Sequence, residues 1–271
     1  MIVSNVRNIV RSRDVLWNLT LRELRSKYRR SFLGWSWSLL NPLALVGIFG
    51  FVFGVIFGAE APPGDPSGLT NYALYLVSGL LTWNFFSLVT NLSMGSFLGN
   101  AGLVRKVSFA RETLVLSQAI FGLVQYGIEM SLLTLILLAA GSPLLPWLPM
   151  TIVMMVLLAL FTTGLSLILS VVNVYFRDLN YLWTIFMQVW FYATPIVYDP
   201  SLLKGKVPEA IRYVVDWNPM ALFVRTVRNG VFDARGPTAV DFFAAVGYSV
   251  AAVIAGLLVF NRLNRRLAEE I

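Results

Sequence analysis

Few residue types in this chain could do chemistry. Among its 271 residues there is no His and no Cys, which excludes imidazole proton relays, thiol chemistry and the commonest metal ligands. The acidic residues are scattered, without a cluster that could bind a metal ion or act as an acid and base pair. The phosphate-binding pattern G-x-x-x-x-G-K-[ST] is also absent. The sequence therefore predicts no catalytic residue, no metal site and no nucleotide site on this chain.

Glu129 is the acidic residue that lies deepest within an apolar run. It follows Gln125 and Tyr126 and precedes Ser131 and Thr134, so hydrogen bonds inside a helix bundle are available to it. Three roles are open for this carboxyl group: packing between helices, lining a pathway, and carrying a coupling ion. A single acid without a basic partner in the apolar runs favours packing over ion coupling.

Long apolar runs fill most of the chain and must position these residues. Hydrophobic residues make up 57% of the sequence and charged residues 13%, against about a quarter charged in soluble proteins, and the mean hydropathy is +0.72. Six runs are each near or above the roughly 20 residues that span a bilayer: 33–58, 71–97, 113–140, 150–174, 179–198 and 238–260. The sequence predicts an all-α integral membrane protein with six transmembrane helices in one domain, 1–271.

The segment before the first run, 1–32, is basic and amphipathic. At 100° per residue Trp17, Leu21, Leu24 and Tyr28 share one face, and the arginines lie elsewhere on the helical wheel. This pattern predicts a helix at the inner membrane interface. Two roles are open, a basic anchor that fixes the topology and a movable gate element joined to the first span.

Basic residues between the runs set the expected orientation. The N-terminal segment, the gap at 98–112, the turn at Arg177 and the tail at 261–271 are basic, whereas the gaps at 59–70 and 141–149 have no Lys or Arg. The positive-inside rule then places both termini in the cytoplasm. Anionic lipid headgroups account for basic residues at these positions, so nucleic acid is not an expected partner.

The gap at 199–237 departs from this rule because it is long and basic. Pro200, Pro208, Pro219 and Pro237 divide it, and its apolar stretches are too short to cross a bilayer. The sequence predicts short re-entrant or surface half-helices on the outer side, between the fifth span and the sixth span at 238–260.

Four stretches resemble a known family. KYRRSFLGWSWSLLNP at 27–42, NVYFRDL at 173–179, TPIVY at 194–198 and WNPMALFVRTVRNGVF at 217–232 are similar to the membrane subunits of ATP-binding-cassette type-2 polysaccharide exporters. The resemblance covers nearly the whole chain and is specific for the family, but these stretches recur in exporters of different glycans.

This resemblance implies a permease that moves a lipid-linked polysaccharide, such as O-antigen, galactan or a teichoic-acid-like chain, across the bacterial inner membrane. It implies a homodimer in contact with membrane lipid and two copies of a separate cytoplasmic ATPase. ATP and Mg²⁺ would bind to that ATPase, and this chain, which is not itself an enzyme, would need no cofactor.

The resemblance also assigns roles to residues. Two inner segments would contact the ATPase, with simple anchoring at the inner face as the alternative: Val104, Arg105, Lys106, Val107, Phe109 and Arg111 in the first, and Tyr175, Phe176, Arg177 and Asp178 in the second. The gate helix would use Trp17, Leu21, Arg22, Leu24, Arg25, Tyr28 and Arg29. The outer gate would include Arg212, Trp217, Arg225 and Arg228, whose arginines could meet pyrophosphate or only lipid headgroups.

Aromatic side chains are candidates for lining the translocation path, because sugar rings stack on them through their C–H faces. The candidate path residues are Phe49, Phe53, Phe57, Trp183 and Trp190, together with Glu129, the acidic residue deepest within an apolar run. Lipid-facing bulk is the alternative for the aromatic residues.

Two other function classes stay open from the sequence. An ATP-binding-cassette type-2 exporter of drugs or lipids would have the same architecture. A membrane enzyme of lipid-linked glycan synthesis is disfavoured, because it would need clustered Asp, Glu or His at a membrane face.

Overall fold

A computed structural model describes residues 12–27, 36–107, 109–200 and 208–264. Within these ranges the chain is mainly helical, as predicted. Besides the α-helices it has π-helical segments at Gly50–Ile56 and Asn229–Asp233 and a 3₁₀ helix at Leu145–Trp147, and the remaining residues form turns and short connections. The helices are α1 Arg13–Lys27, α2 Trp37–Phe49, α3 Tyr72–Gly99, α4 Ala101–Lys106, α5 Glu112–Ala139, α6 Leu148–Tyr175, α7 Leu179–Tyr192, α8 Glu209–Asp216, α9 Pro219–Arg228 and α10 Ala239–Leu263. The predicted gate residues Tyr28 and Arg29, and 265–271 of the predicted tail, lie outside the described residues.

Several helices begin where a side chain caps the first turn. Asn71 accepts a hydrogen bond from the Leu74 amide at the start of α3, at 3.2 Å, and Thr238 accepts one from the Asp241 amide at the start of α10, at 3.1 Å. Such caps satisfy backbone donors that have no partner within the helix. The start of α9 is capped in the same way by Asn218, which accepts from the Met220 amide at 2.9 Å.

Five helical segments of the described chain are long and apolar enough to cross a bilayer: Trp37–Ile56, Tyr72–Gly99, Glu112–Ala139, Leu145–Tyr175 and Ala239–Leu263. The first of them consists of α2 and the π-helical segment Gly50–Ile56 that continues it. The fourth consists of the 3₁₀ helix Leu145–Trp147 and α6. This length and composition make the chain a multi-pass membrane protein. Five of the six predicted spans thus have a matching helix.

The predicted span at 179–198 differs from the structure. Its helix, α7, has 14 residues and is about 21 Å long at 1.5 Å per residue, short of the roughly 30 Å hydrocarbon core. The chain turns after Tyr192 because Pro195 has no backbone N–H to continue a helix. In 208–237, α8 and α9 are two short helices, and the re-entrant position expected of them stays a prediction.

The bundle is built around α3 and the pair α6 and α10. In the most apolar window of α3 78% of the residues are buried, against 6% in the span that contains α2. The helices α6 and α10 make the closest contact, where Gly164 and Gly256 let the two backbones touch. Glycines at such crossings allow van der Waals packing of helix on helix, which stabilises association in lipid. A broad face of α2 is left uncovered by its own chain.

A second apolar cluster lies at the end of the bundle where α4 connects α3 to α5. It is separate from the main core and is called the inner cluster here, because this end of the bundle is the one predicted to face the cytoplasm. It takes residues from α1, α3, α4, α5, α6 and α10: Leu19, Phe97, Val104, Leu114, Val115, Leu167, Val171, Val174, Leu257 and Phe260. The amphipathic N-terminal helix and the short helix α4 are therefore parts of one packed unit.

The glycine contact gives a stability prediction. A methyl group added in Gly256→Ala would overlap the backbone of Gly164, whereas one added in Gly247→Ala, on the same helix, would meet nothing within 4 Å. We expect Gly256→Ala to lower the free energy of unfolding by about 2 kcal/mol, the usual cost of overpacking. Gly247→Ala should change it by less than about 0.5 kcal/mol. Unfolding of the purified chain in detergent measures both, and equal stability of the two variants would contradict the packing described here.

Candidate functional site

Two of the stretches singled out in the sequence meet at the end of the bundle that is predicted to face outward. Asn218 lies in the stretch at 217–232, and its side-chain amide donates to the Ala193 carbonyl at 3.1 Å and the Thr194 hydroxyl of the stretch at 194–198 at 2.9 Å. Its amide oxygen accepts from the Trp190 indole N–H at 2.7 Å. The turn after α7 is thereby fixed to the start of α9. No role was predicted for Asn218 or Thr194, although both lie in the stretches that resemble the exporter family.

Arg228 secures the same turn from the other end of α9. It is 6% exposed, and its guanidinium donates to the carbonyls of Pro195 and Ile196, at 3.1 and 2.9 Å. The guanidinium carbon also lies 3.8 Å from the centre of the Tyr75 ring, a cation–π contact between α9 and α3. Gly79 leaves the room for this side chain, because a methyl group there would overlap the guanidinium. Arg228 was predicted as an outer-gate residue, and its described contacts are all within the chain.

The other predicted outer-gate residues border the surface. Arg225 forms an ion pair with Asp241 at 2.6 Å, and Arg212 one with Asp216 at 3.6 Å. Trp217 is 74% exposed. The structure thus places one arginine of this set in the interior and leaves three members where a ligand or lipid can reach them.

Charged groups gather around a small cavity of about 220 Å³ beside Arg228. Arg235 lies 3.3 Å from Asp233 and 4.0 Å from Asp65. Burial raises the pKa of the Asp233 carboxyl, and the Arg235 guanidinium acts in the opposite direction. Acids and arginines offset one another here, so the cavity has no strong preference for an anion or a cation.

The predicted path residues fall into two groups. Phe49, Phe53 and Phe57 form a ladder along the first span, with ring centres 5.9 and 5.8 Å apart, and Phe57 is 70% exposed. Trp183 and Trp190 instead pack inside the chain, against Phe86 at 6.5 and 5.1 Å. The ladder is accessible to a ligand or to lipid, whereas the two tryptophans also form part of the bundle core. A path-lining role stays a prediction for all five.

Glu129 is 4% exposed and accepts a hydrogen bond from the Gln125 amide at 2.8 Å. The oxygen of Gln125 in turn accepts from the ammonium group of Lys27 at the end of α1, which also lies 5.4 Å from the Phe121 ring centre. The sequence showed no basic partner for Glu129 within the spans. The structure supplies one from the amphipathic helix, through Gln125.

The N-terminal helix α1 lies alongside the first half of α5. Ser12, just before α1, accepts from the Ala110 amide at 3.3 Å, and Lys27 reaches Gln125 at the other end. Trp17 of the predicted apolar face is 60% exposed, and Leu21 and Leu24 are half-buried. Leu19, which the wheel analysis did not select, is buried in the inner cluster. The helix therefore has an inward face as well as an outward face that suits a membrane interface, and its predicted arginines Arg22 and Arg25 are exposed.

The two inner segments divide into exposed and anchored residues. The exposed residues are Arg105, Lys106, Val107, Phe176, Arg177 and Asp178. Val104 is buried in the inner cluster, and Phe109 packs against it. The Arg111 guanidinium donates to the carbonyl and side-chain oxygens of Asn264, at 2.8 and 2.9 Å. The Tyr175 hydroxyl donates to the Leu263 carbonyl at 2.8 Å. Both segments are thus attached to adjacent residues at the end of α10.

Comparisons with known proteins agree with the helical membrane fold. The family model described as ABC-2 type transporter matches residues 14–232. The chain is similar to the O-antigen export system permease protein RfbA of Klebsiella pneumoniae, 28% identical over 258 residues and 94% of each chain. A protein of the same name from Myxococcus xanthus is 28% identical over 268 residues and 98% of each chain. The polysialic acid transport protein KpsM of Escherichia coli is 23% identical over 245 residues, which are 90% of this chain and 91% of that protein.

Proposed function

Because the chain belongs to the ABC-2 type transporter family, we propose that it is the permease subunit of an ATP-driven polysaccharide exporter. The observation that carries this proposal is the similarity to export permeases over 90% or more of the chain. The resemblance noted in the four sequence stretches agrees with it. The substrate is proposed to be a lipid-linked glycan of the O-antigen, galactan or teichoic-acid type, moved across the bacterial inner membrane.

A separate ATPase subunit would supply the energy, since this chain has no phosphate-binding loop of the P-loop type. The exposed inner residues Arg105, Lys106, Phe176 and Arg177 offer ionic and apolar contacts for it. The inner cluster connects these segments to α1. ATP-driven closure of the ATPase would therefore move α4 and α1 together.

Two copies of the chain are proposed to form the path between them. The span that contains α2 is the least buried of the five long helices, and a bundle of these five helices and α7 leaves little room for a polymer within one chain. A two-fold dimer would cover such a face with the same surface of a second copy. In this arrangement α7 and the turn after it, which reaches Tyr72 at the start of α3 through Val197, would together make the sixth crossing. The short helices α8 and α9 would then form the outer gate, and both termini would lie in the cytoplasm.

The test is purification of the full chain together with its ATPase and reconstitution in liposomes. We expect ATP hydrolysis to rise about tenfold or more when a polyprenyl-linked glycan is added, as for a ligand that favours the closed state. If small hydrophobic drugs stimulated ATP hydrolysis and the glycan did not, the proposed function would have to be drug or lipid export instead of polysaccharide export. Transport by the chain without any ATPase would refute the proposal altogether.

A further inference from the structure

A polar cleft runs along one face of α3 near the middle of the bundle. Two adjoining cavities, of about 550 and 480 Å³, share Ser87 and Asn91 of this helix, and the second cavity also reaches Asn84. These three positions, spaced by three and four residues, lie on one face of α3. Gln188 of α7 borders the first cavity and Gln125 of α5 the second. The two cavities with these residues are called the α3 cleft.

The amides of the cleft are not fully used within the chain. In the described part of the chain, the side chains of Asn84 and Gln188 make no hydrogen bond, and Asn91 uses only its amide nitrogen, toward the Ser87 carbonyl and hydroxyl. Polar groups facing hydrocarbon without partners are strongly unfavourable. Asn84, Asn91 and Gln188 therefore require water or a polar ligand in the cleft, whereas the Gln125 amide already bonds to Glu129 and Lys27.

The chemistry of the cleft selects an uncharged ligand rich in hydroxyl groups. Amides both donate and accept hydrogen bonds, as hydroxyl groups do, and the rings of Trp83 and Phe191 border the same space and can stack on C–H faces of sugars. Among the described residues that line the two cavities there is no Lys or Arg, and the acidic residue Glu129 lines the second cavity. Lys27 donates to Gln125 and so offsets the Glu129 carboxylate. A polyanion would find no free cation here.

We infer that the α3 cleft binds the uncharged, hydroxyl-rich units of the exported chain as they cross the membrane. The inference rests on the proposed function and adds to it a ligand class and the residues Asn84, Asn91, Gln125 and Gln188. Hydrogen bonds from flexible amides suit a repeating polymer, because each unit can exchange with the next without a change in the type of contact.

The absence of Cys from the sequence makes single-cysteine labelling free of background. Gln188→Cys and Val189→Cys form a matched pair, since both positions are exposed on α7 but only Gln188 borders the cleft. In liposomes a water-soluble thiol reagent should modify Gln188→Cys at least about tenfold faster, because the reactive thiolate forms in water. Asn91→Cys should behave like Gln188→Cys. Equal rates at 188 and 189 would show that lipid fills the cleft and would overturn the inference.

The class of ligand is tested with the same single-cysteine variants. A neutral dextran oligomer is expected to slow modification of Asn91→Cys about fivefold or more, whereas a sialic acid oligomer of equal length should leave the rate nearly unchanged. Equal protection by both, or protection by neither, would refute the assignment. In the complex with its ATPase, Gln188→Leu should reduce export about fivefold, the value of one lost hydrogen bond, and Val189→Leu should not.

The outcomes of these tests separate the inference from the proposed function. If the unaltered chain assembles with its ATPase and exports glycan while Gln188→Leu exports at the normal rate, only the cleft assignment fails. If the unaltered chain neither binds an ATPase nor exports glycan, the proposed function fails, and labelling at 91 and 188 still reports whether the cleft is hydrated.

Discussion

Arg228→Met is expected to lower the free energy of unfolding by about 3 kcal/mol. The substitution leaves the buried carbonyls of Pro195 and Ile196 without donors, at a cost of about 1–3 kcal/mol each, and removes the cation from the face of Tyr75. Relief from the desolvation of a buried charge offsets part of this cost. Carbonyl dipoles hold that charge at close range, and Asp199 and Asp233 attract it from further away, so the loss of contacts is the larger effect.

The control for this variant lies one turn earlier on the same helix. Arg225 is paired with Asp241, and its side chain is 46% exposed, so Arg225→Met should cost no more than about 1 kcal/mol, the usual value of a surface ion pair. Unfolding of the purified variants in detergent, followed by circular dichroism, measures both. Similar losses for the two variants, or a fully stable Arg228→Met, would show that the turn after α7 does not depend on this side chain.

Gly79→Ala tests the same contact from α3. Its added methyl group would overlap the Arg228 guanidinium and come within 3.2 Å of Val224, so it should cost about 1–3 kcal/mol as an overpacked site does. Because it acts through Arg228, its effect in the Arg228→Met background should be much smaller. Gly95→Ala, on the same helix but with nothing within 4 Å, is the matched control. Additive effects of the two changes would contradict a shared contact.

Hydropathy predicted the long helices because a run of about 20 apolar residues in a bilayer has few alternatives to a helix. The same measure did not give the length of the helix at 179–198, which ends at Tyr192. Residues up to Tyr198 are apolar enough to extend the run, but hydropathy does not register that Pro195 ends the hydrogen-bond ladder. The prolines of 199–237, in contrast, correctly indicated broken helices, and α8 and α9 begin near Pro208 and at Pro219.

The contacts between the conspicuous stretches were beyond the sequence. TPIVY and the stretch around Asn218 are each conspicuous in the sequence. Asn218 and Arg228 both form hydrogen bonds to the turn at 193–196, however, only because α7 and α9 pack together in the fold. The wheel of α1 shows why one face was missed. Trp17 and Leu21 form the more apolar stripe, while Leu19 is buried in the inner cluster, whose other members come from five other helices, none of them local in sequence.

The partner of Glu129 shows the same limit. Lys27 lies 102 residues earlier and outside every apolar run, so a search for basic residues within the spans could not find it. Gln125, one turn before the acid, was visible in the sequence as a hydrogen-bond partner, and that part of the interpretation agrees with the structure. Long-range electrostatic links need the placement of α1 beside α5, which the sequence does not give.

The double variant Arg111→Gln and Tyr175→Phe should bind the proposed ATPase as the unaltered chain does but export glycan at least about tenfold more slowly. These residues were predicted to touch the ATPase, yet their described hydrogen bonds go to Asn264 and Leu263 at the end of α10. We expect Arg111 and Tyr175 to attach the two inner segments to the end of α10, so that movement of either segment is passed to the other. Loss of a charged and a neutral hydrogen bond, about 1.5–3 and 1 kcal/mol, is enough for that reduction.

The comparison that decides this role is with an exposed residue of the same segment. Arg177→Gln should weaken co-purification of the ATPase, because Arg177 points outward and its expected partner is the other subunit. If Arg111→Gln with Tyr175→Phe also lost the ATPase, direct contact would replace anchoring as the role of both residues. ATP hydrolysis that continues while export falls is the result that anchoring predicts, since a segment detached from α10 can still bind the ATPase but no longer transmits its movement to the spans.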